Sequence, residues 1–279
     1  MSSLKYYFKL VTFQHMLMAG LSTWVTAILS GGDDWSANTK LFASGVMALG
    51  IMGASLYHFG AAHYMYARKS EQFANTDQNT VAKLIILGLI CISIAIVASL
   101  VYLNSACQLI VLIDSLIIIL YSRVLSRYWW TKNPLIAFVC TSPILLGWFT
   151  GQRLHPYVPH VIFAVFFAFL TREIVKDVQD RIANHGLRLT LPLWLGVAKA
   201  RTIAGITMVI AVIFLLILYL NIRVMTWPAI SLCSLALLPY SLALYSLLFN
   251  KQGGHEKKES AYIIKGTACL LVLFLSFVL

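Results

Sequence analysis

This sequence is short of charge. Only 11% of its 279 residues are Asp, Glu, Lys or Arg, against roughly 25% in ordinary globular chains. Acids are scarcer than bases, with Asp plus Glu at 10 and Lys plus Arg at 21. Paired cysteines are missing as well. Cys91, Cys107, Cys140, Cys233 and Cys269 stand singly in apolar segments, with no CxxC pair and no metal-site spacing, and read as small core residues. The N-terminal stretch has no short apolar region ending in an A-x-A site, so it reads as a retained span rather than a cleaved leader. These scarcities exclude a soluble enzyme. In their place the chain is 60% hydrophobic, with a mean hydropathy of +0.82. A chain surrounded by lipid must satisfy its own backbone, which leaves a helical bundle or a closed barrel. Uninterrupted apolar runs of about 20 residues select helices over the alternating ten-residue segments of a barrel.

Nine spans are expected, at 8–30, 41–66, 84–103, 107–121, 134–150, 157–171, 203–220, 226–249 and 261–279. The sequence thus predicts an all-α polytopic membrane bundle forming a single integral-membrane domain over 1–279. Its first half is about 1–133, its second about 134–249, and 261–279 is an additional C-terminal helix. The fourth, fifth and sixth spans are short, and fusion of the third and fourth across Asn104 and Ser105 is the main alternative. Pro143, Pro159, Pro228 and Pro239 fall inside spans, where neighbouring helices tolerate kinks. A net charge of +11 would suggest nucleic acid in a soluble chain; here its distribution points to the membrane instead. Seventeen Lys and Arg residues fall on one side of the nine-span topology, from Lys5 and Lys9 through Lys132, Lys199 and Arg201 to Lys257 and Lys258. Three, Lys40, Arg153 and Arg223, fall on the other. That asymmetry places the N-terminus and the large polar loops in the cytoplasm.

The most polar loop follows the sixth span, about 171–202. Asp177, Asp180 and Asn184 are spaced i, i+3, i+7, which on a helix puts all three on one face. Two carboxylates a turn apart with an amide beyond them offer hard oxygens suited to Mg²⁺, and Arg172, Lys176, Arg181 and Arg188 surround them. An amphiphile with a polyanionic head and a lipid-like tail would suit this arrangement at the mouth of an apolar bundle. The alternative is a solvated loop in which Lys176 forms ordinary helix ion pairs with Glu173 and Asp180.

The longer string REIVKDVQDRIANHGLRLTLPLWLGVAKA resembles the second aspartate-rich region of the UbiA superfamily of intramembrane prenyltransferases. Arg172, Glu173, Lys176, Asp177, Asp180, Gly186, Thr190, Leu191, Pro192, Gly196 and Ala200 all match its pattern. YYFKLVTFQHMLMAGLSTWVTAIL is similar to the family's first span, with Thr12 and Phe13 where Arg-Pro is usual. LIIILYSRVLSRYWWTKNPLIAFVCTSPILLGWFTG is similar to its fourth and fifth spans, with Tyr121 and Ser122 at a Tyr-Ser position and Arg127 near a usual basic residue. The resemblance implies a helical bundle around a lipid-accessible cavity. It implies an isoprenyl diphosphate held by Arg127, Arg172, Lys176, Arg181 and Arg188, with Mg²⁺ at Asp177, Asp180 and Asn184. Asp177 and Asp180 would serve catalysis, and a hydrophobic acceptor would receive the prenyl group.

The departures matter equally. The family's first aspartate-rich motif ends the second span. Here that place reads GASLYHFGAAHYMYARKS, so Tyr57, His58, Ala61 and Met65 occupy its degenerate positions and no carboxylate remains. Only Glu71 and Asp77 lie in the following loop, and Asn184 stands where a third aspartate is expected. Neutral His58 or His63 would be a poor Mg²⁺ ligand and reads more simply as a hydrogen-bonded residue near a span end. Losing one ligand set removes much of the stabilisation a diphosphate leaving group needs. Two functions follow: a membrane prenyltransferase with a degenerate first metal site, or a catalytically inactive UbiA-like pseudoenzyme serving as a lipid-binding or structural subunit beside other membrane subunits. A solute transporter is disfavoured, because no acid pair sits near the midplane. Asp114, an acid inside an apolar run, should face the bundle interior, and its role is open between a structural hydrogen bond and a function. NKQGGHEKKES reads as a solvated linker, with Glu256 and Glu259 among lysines.

Overall fold

The computed structural model describes residues 13–31, 37–66, 78–121, 124–151, 156–221, 227–250 and 254–276. Residues 8–12 of the expected first span lie outside these, as do Arg68, Lys69, Glu71 and Asp77 of the second loop, Ser122, Arg123, Arg153, Arg223 and Lys251. So do the side chains of His63, Met65 and Cys233, although their backbones belong to described helices.

Nine long helices are present among the described residues: α1 Phe13–Ser30, α2 Ala37–Tyr66, α3 Gln78–Tyr102, α4 Ser105–Tyr121, α5 Trp129–Thr150, α6 Val158–Gln179, α9 Val197–Asn221, α10 Trp227–Phe249 and α11 Glu256–Ser276. Two short ones, α7 Arg181–Asn184 and α8 Leu191–Leu195, lie between α6 and α9. Five of the nine are long and apolar enough to cross a membrane by length and composition alone. The chain is an all-α, multi-pass integral membrane protein. α3 and α4 are separate, because the Asn104 Oδ1 accepts the Cys107 N–H at 2.9 Å and caps the start of α4. Pro143 and Pro239 lie inside helices as expected. Pro159 and Pro228 instead occupy first turns, where a missing N–H leaves no helical bond unmade.

The chain divides into two compact units, Met1–Leu125 with Leu145–Arg153, and Ser126–Ile144 with Leu154–Leu279. In the first, helices meet over small residues. A Cβ on Gly53 would sit 2.8 Å from the Gly88 carbonyl oxygen, and one on Gly88 would sit 2.6 Å from the Tyr57 nitrogen, so α2 and α3 approach backbone to backbone. This is how helices associate where lipid offers no hydrophobic gain. The inward face of α3 carries Val81, Leu84, Gly88, Cys91, Ile92, Ala95 and Ser99. Its large residues Ile86, Leu87, Ile90, Ile94 and Val97 point outward, the distribution expected of a helix facing lipid. Asp114 on α4 is buried, as an intramembrane acid should be.

In the second unit, polar pairs join helices. Thr171 and Thr207 hydroxyls meet at 2.8 Å between α6 and α9, and Tyr240 meets Thr267 at 2.9 Å between α10 and α11. The strongest join corrects the reading of the last polar segment. Glu256 and Glu259 are buried rather than solvated, because α11 begins at Glu256 and turns both carboxylates onto Arg201 of α9. Arg201 is 1% exposed. Its Nη1 and Nη2 donate to Glu259 at 3.0 and 2.5 Å, and Nη1 lies 3.6 Å from Glu256. Ser246 of α10 donates to Glu259 at 2.6 Å, so one cluster ties three helices together.

The segment after α6 is shorter than the expected loop, because the helix continues through Gln179 and absorbs residues 172–179. It breaks at Asp180, where φ −93 and ψ 13 close the helix, and resumes as the single turn α7. Asn184 therefore does not share one continuous helix with Asp177. Gly186 follows at φ +73 and Gly196 joins α8 to α9 at φ +85, ψ 160, a region essentially restricted to glycine.

Two outcomes are expected. Arg201→Met leaves two acids unpaired in the interior and lowers stability by about 3–5 kcal/mol. Adding Glu259→Gln to it restores part of that loss, read from reversible unfolding in mixed micelles. Gly196→Ala strains the α8–α9 joint and costs about 1–3 kcal/mol, whereas Gly45→Ala, at an exposed helical site with open space around it, causes no loss in the same assay.

Candidate functional site

The site lies in the second unit, where the start of α5 meets the end of α6 and the 180–196 segment. The joint is made by backbone. The Leu189 N–H donates to the Arg127 carbonyl at 2.8 Å and the Trp129 N–H donates to the Leu189 carbonyl at 2.9 Å, forming an isolated parallel bridge with Tyr128. Trp129 and Trp194 stack at 5.7 Å, and Tyr128 stacks on Trp130 at 4.7 Å. The turn at Gly186 is held by the Asn184 carbonyl, which accepts from Leu187 at 3.0 Å and Arg188 at 3.1 Å.

Under this joint sits Asp177, 1% exposed. Lys132 of α5 makes a short ion pair with its Oδ1, and Asn133 Nδ2 donates to its Oδ2 at 3.1 Å. Lys132 and Asn133 are themselves buried. One turn earlier on α6, Glu173 pairs with Arg172 at 2.9 Å rather than with Lys176. Among the described residues no ion pair joins Lys176 to Glu173 or Asp180, so the ordinary helix pairs considered above are not formed. Lys176 and Arg181 are exposed and Asp180 is half-buried at the helix end. Arg181 makes one long hydrogen bond, 3.4 Å, to the Val178 carbonyl.

Of the five expected basic residues, Arg127 and Arg188 come together. They line a shallow cavity of about 440 Å³ with His185, Tyr128, Leu187, Leu189, Leu193 and Gly186. This combines cationic groups with an apolar and aromatic wall. Several buried polar atoms in the same region have no hydrogen-bond partner: Glu173 Oε2, Asn133 Oδ1, Thr190 Oγ1 and Arg172 Nε. Such atoms carry a desolvation cost unless water or a ligand meets them.

Among the described residues, no group of three His, Cys, Asp or Glu side chains is placed to hold a metal ion. Both Asp177 oxygens are engaged by Lys132 and Asn133, Asp180 stands half-buried beyond the helix break, and Asn184 is buried on α7. As folded, this trio does not present a ready set of hard oxygens for Mg²⁺, which favours octahedral coordination with one or two carboxylates.

The first-motif positions belong to the first unit. Tyr57 is buried and its hydroxyl donates to the Ile119 carbonyl at 3.4 Å. His58 is exposed, with its ring 5.2 Å from that of Tyr121, and Ala61 is half-buried. Met65 occupies the last turns of α2.

Lys132, Asn133 and His185 were not anticipated from the sequence. From the sequence, Lys132 reads only as a cytoplasmic charge at a span boundary. The signal was its position in WWTKNP, where a charged and an amide residue enter the first turns of an apolar helix and therefore require buried partners.

Comparison with known proteins agrees with this architecture. A digeranylgeranylglyceryl phosphate synthase of Methanothrix thermoacetophila is 27% identical over 176 residues, 62% of this chain and 61% of that protein. Another, from Methanopyrus kandleri, is 29% identical over 178 residues, 63% of this chain and 64% of that protein. The chain thus matches less than two thirds of the length of these relatives. Among solved structures, one of digeranylgeranylglyceryl phosphate synthase in membranes has a TM-score of 0.77 at 20% identity, covering 100% of this chain and 99% of that one. A UbiA homolog from Archaeoglobus fulgidus bound to GPP and Mg²⁺ has a TM-score of 0.72 at 14% identity, covering 98% and 99%. Residues 58–276 match the UbiA prenyltransferase family model, a stretch that takes in the end of α2, the seven long helices after it and the whole Asp177 cluster, and the chain belongs to that family.

Proposed function

We propose that this protein binds an isoprenyl diphosphate in the cavity beside the Asp177 cluster and transfers the prenyl group to a hydrophobic acceptor in the membrane. The observation that carries the reading is the cavity that brings Arg127, Arg188 and His185 together against Tyr128 and three leucines. Cations beside an apolar wall suit a ligand with a diphosphate head and a hydrocarbon tail. In the reaction the allylic C–O bond breaks, the diphosphate departs, the prenyl carbon bonds to the acceptor and the acceptor releases a proton. Arg127 and Arg188 receive the growing charge on the leaving oxygen, and Arg172, Lys176 and Arg181 add to the positive field at a distance. Asp177 fixes the start of α5 against the end of α6 through Lys132, and Asp180 marks the helix break that directs the chain toward the cavity. The digeranylgeranylglyceryl phosphate synthases among its relatives and the GPP- and DMAPP-bound UbiA homologs support this ligand class.

A second reading is favoured by a specific observation. Tyr57 and His58, at the positions of the first aspartate-rich motif, are engaged with Ile119 and Tyr121 of α4, and Ala61 offers no ligand. A chain of this kind would bind the amphiphile, or other membrane subunits, without turnover. Purified protein in nanodiscs, given labelled geranyl diphosphate and a lipophilic acceptor, separates the two. Turnover lowered at least about tenfold by Arg127→Ala together with Arg188→Ala supports the transferase; saturable binding with no product supports the inactive subunit, and absence of both removes either reading.

The orientation is part of the same proposal. Cysteine-accessibility mapping is expected to label a cysteine placed at Arg181 from the cytoplasmic side and one at Lys40 from the other. The reverse pattern would contradict the charge asymmetry that motivates it.

A further inference from the structure

The acids of this site are already matched by bases of the same chain. Asp177 is held by Lys132 and Asn133, and Glu173 by Arg172, which leaves Asp180, just past the end of α6, as the one carboxylate of this segment without an ion pair among the described residues. Against these three acids stand Arg127, Lys132, Arg172, Lys176, Arg181 and Arg188 within the same run of chain. The local field is therefore positive, which repels a free divalent cation and attracts an anion. Lys132 is itself buried and comes from a different helix than its partner, so the ammonium is built into the fold rather than reaching in from solvent. An ammonium against a buried carboxylate supplies the charge compensation that a metal ion would otherwise bring there.

We propose that the Lys132 ammonium is the resident cation of the second-motif cluster, and that the cluster therefore receives a diphosphate-type anion without a divalent metal. This rests on the reading of the cluster as a head-group site. The Asp177 carboxylate is consequently a positioning group, not a metal ligand. Lys132 holds it, and with it the end of α6, in register with the Tyr128–Leu189 bridge beside the cavity. Removing the ammonium while keeping the carboxylate would expose a buried anion with one amide partner, and such a group acquires affinity for a cation.

Two measurements on the full chain in zwitterionic nanodiscs test this. In the first, Mn²⁺ alone is titrated and followed by electron paramagnetic resonance. The wild type and Lys132→Arg are expected to show no saturable Mn²⁺ site, and Lys132→Met to gain one that is abolished by adding Asp177→Asn. A saturable Mn²⁺ site in the wild type that Asp177→Asn or Glu173→Gln removes would overturn the proposal. If Lys132→Met does not fold, Lys132→Gln takes its place, and the wild-type titration decides by itself. In the second, binding of labelled geranyl diphosphate is compared in excess EDTA and in Mg²⁺. Affinities equal within about threefold support the proposal, and binding that appears only with Mg²⁺ overturns it while leaving the head-group reading intact. Absence of binding in both conditions, with the Mn²⁺ result as expected, would remove the head-group reading and leave the resident cation in place.

Discussion

Lys132 and Asp177 can each remain in the interior only because the other is there. An ammonium or a carboxylate taken out of water alone suffers an effective penalty of several kcal/mol; the pair, with Asn133 meeting the second oxygen, reduces that penalty to what contact can offset. The consequence is geometric. α5 and α6 are separated by a loop, yet residue 132 near the start of one must meet residue 177 near the end of the other. Once that contact is made, the Arg127 and Trp129 backbone lies where Leu189 can bridge it, and the cavity between them acquires its lining. The residues a diphosphate would touch are therefore positioned by a contact that faces none of the solvent.

The same logic recurs at Arg201. In a bundle whose outer surface is already apolar, burying more Leu and Ile does little to select one arrangement of helices over another. Contacts that discriminate must come from close backbone approach, as at Gly53 and Gly88, or from polar groups that tolerate only one partner. Arg201 with Glu256 and Glu259 is of the second kind. It specifies which faces of α9, α10 and α11 turn toward one another, at positions where apolar packing alone would accept several rotations.

This explains which parts could be read in advance. Helix number and order follow from the length of apolar runs, a signal spread over 20 residues at a time that one misjudged position does not erase. α3 and α4 could be told apart because Asn104 interrupts the run with a residue suited to cap the next helix. Charge clusters are different. A string such as HEKKES looks alike whether a Glu faces water or an Arg that lies 58 residues away, and the partner is known only from the fold. Glu259 thus reads as part of a solvated linker although it is fully buried against Arg201, and Lys132 reads as a boundary charge although it pairs with Asp177. The sequence shortens α6 for a related reason. Polar residues at 172–179 suggested a loop, but they alternate with Ile174, Val175 and Val178, which bury one face and carry the helix on.

Glycine 186 and glycine 196 connect these levels. Each ends a short helix with a backbone that an ordinary residue adopts only under strain, and neither has a neighbour within 4 Å that a side chain would strike. The requirement is therefore conformational and not steric. It allows the chain to turn between α6 and α9 so that Leu189 bonds to the Arg127 carbonyl and Trp194 stacks on Trp129. Without those turns Asp177 could still be paired, but Arg188 and His185 would not face Arg127. The buried ion pair and the two glycines thus act on different sides of one cavity: the first fixes the floor on which it stands, and the second folds the basic segment over it.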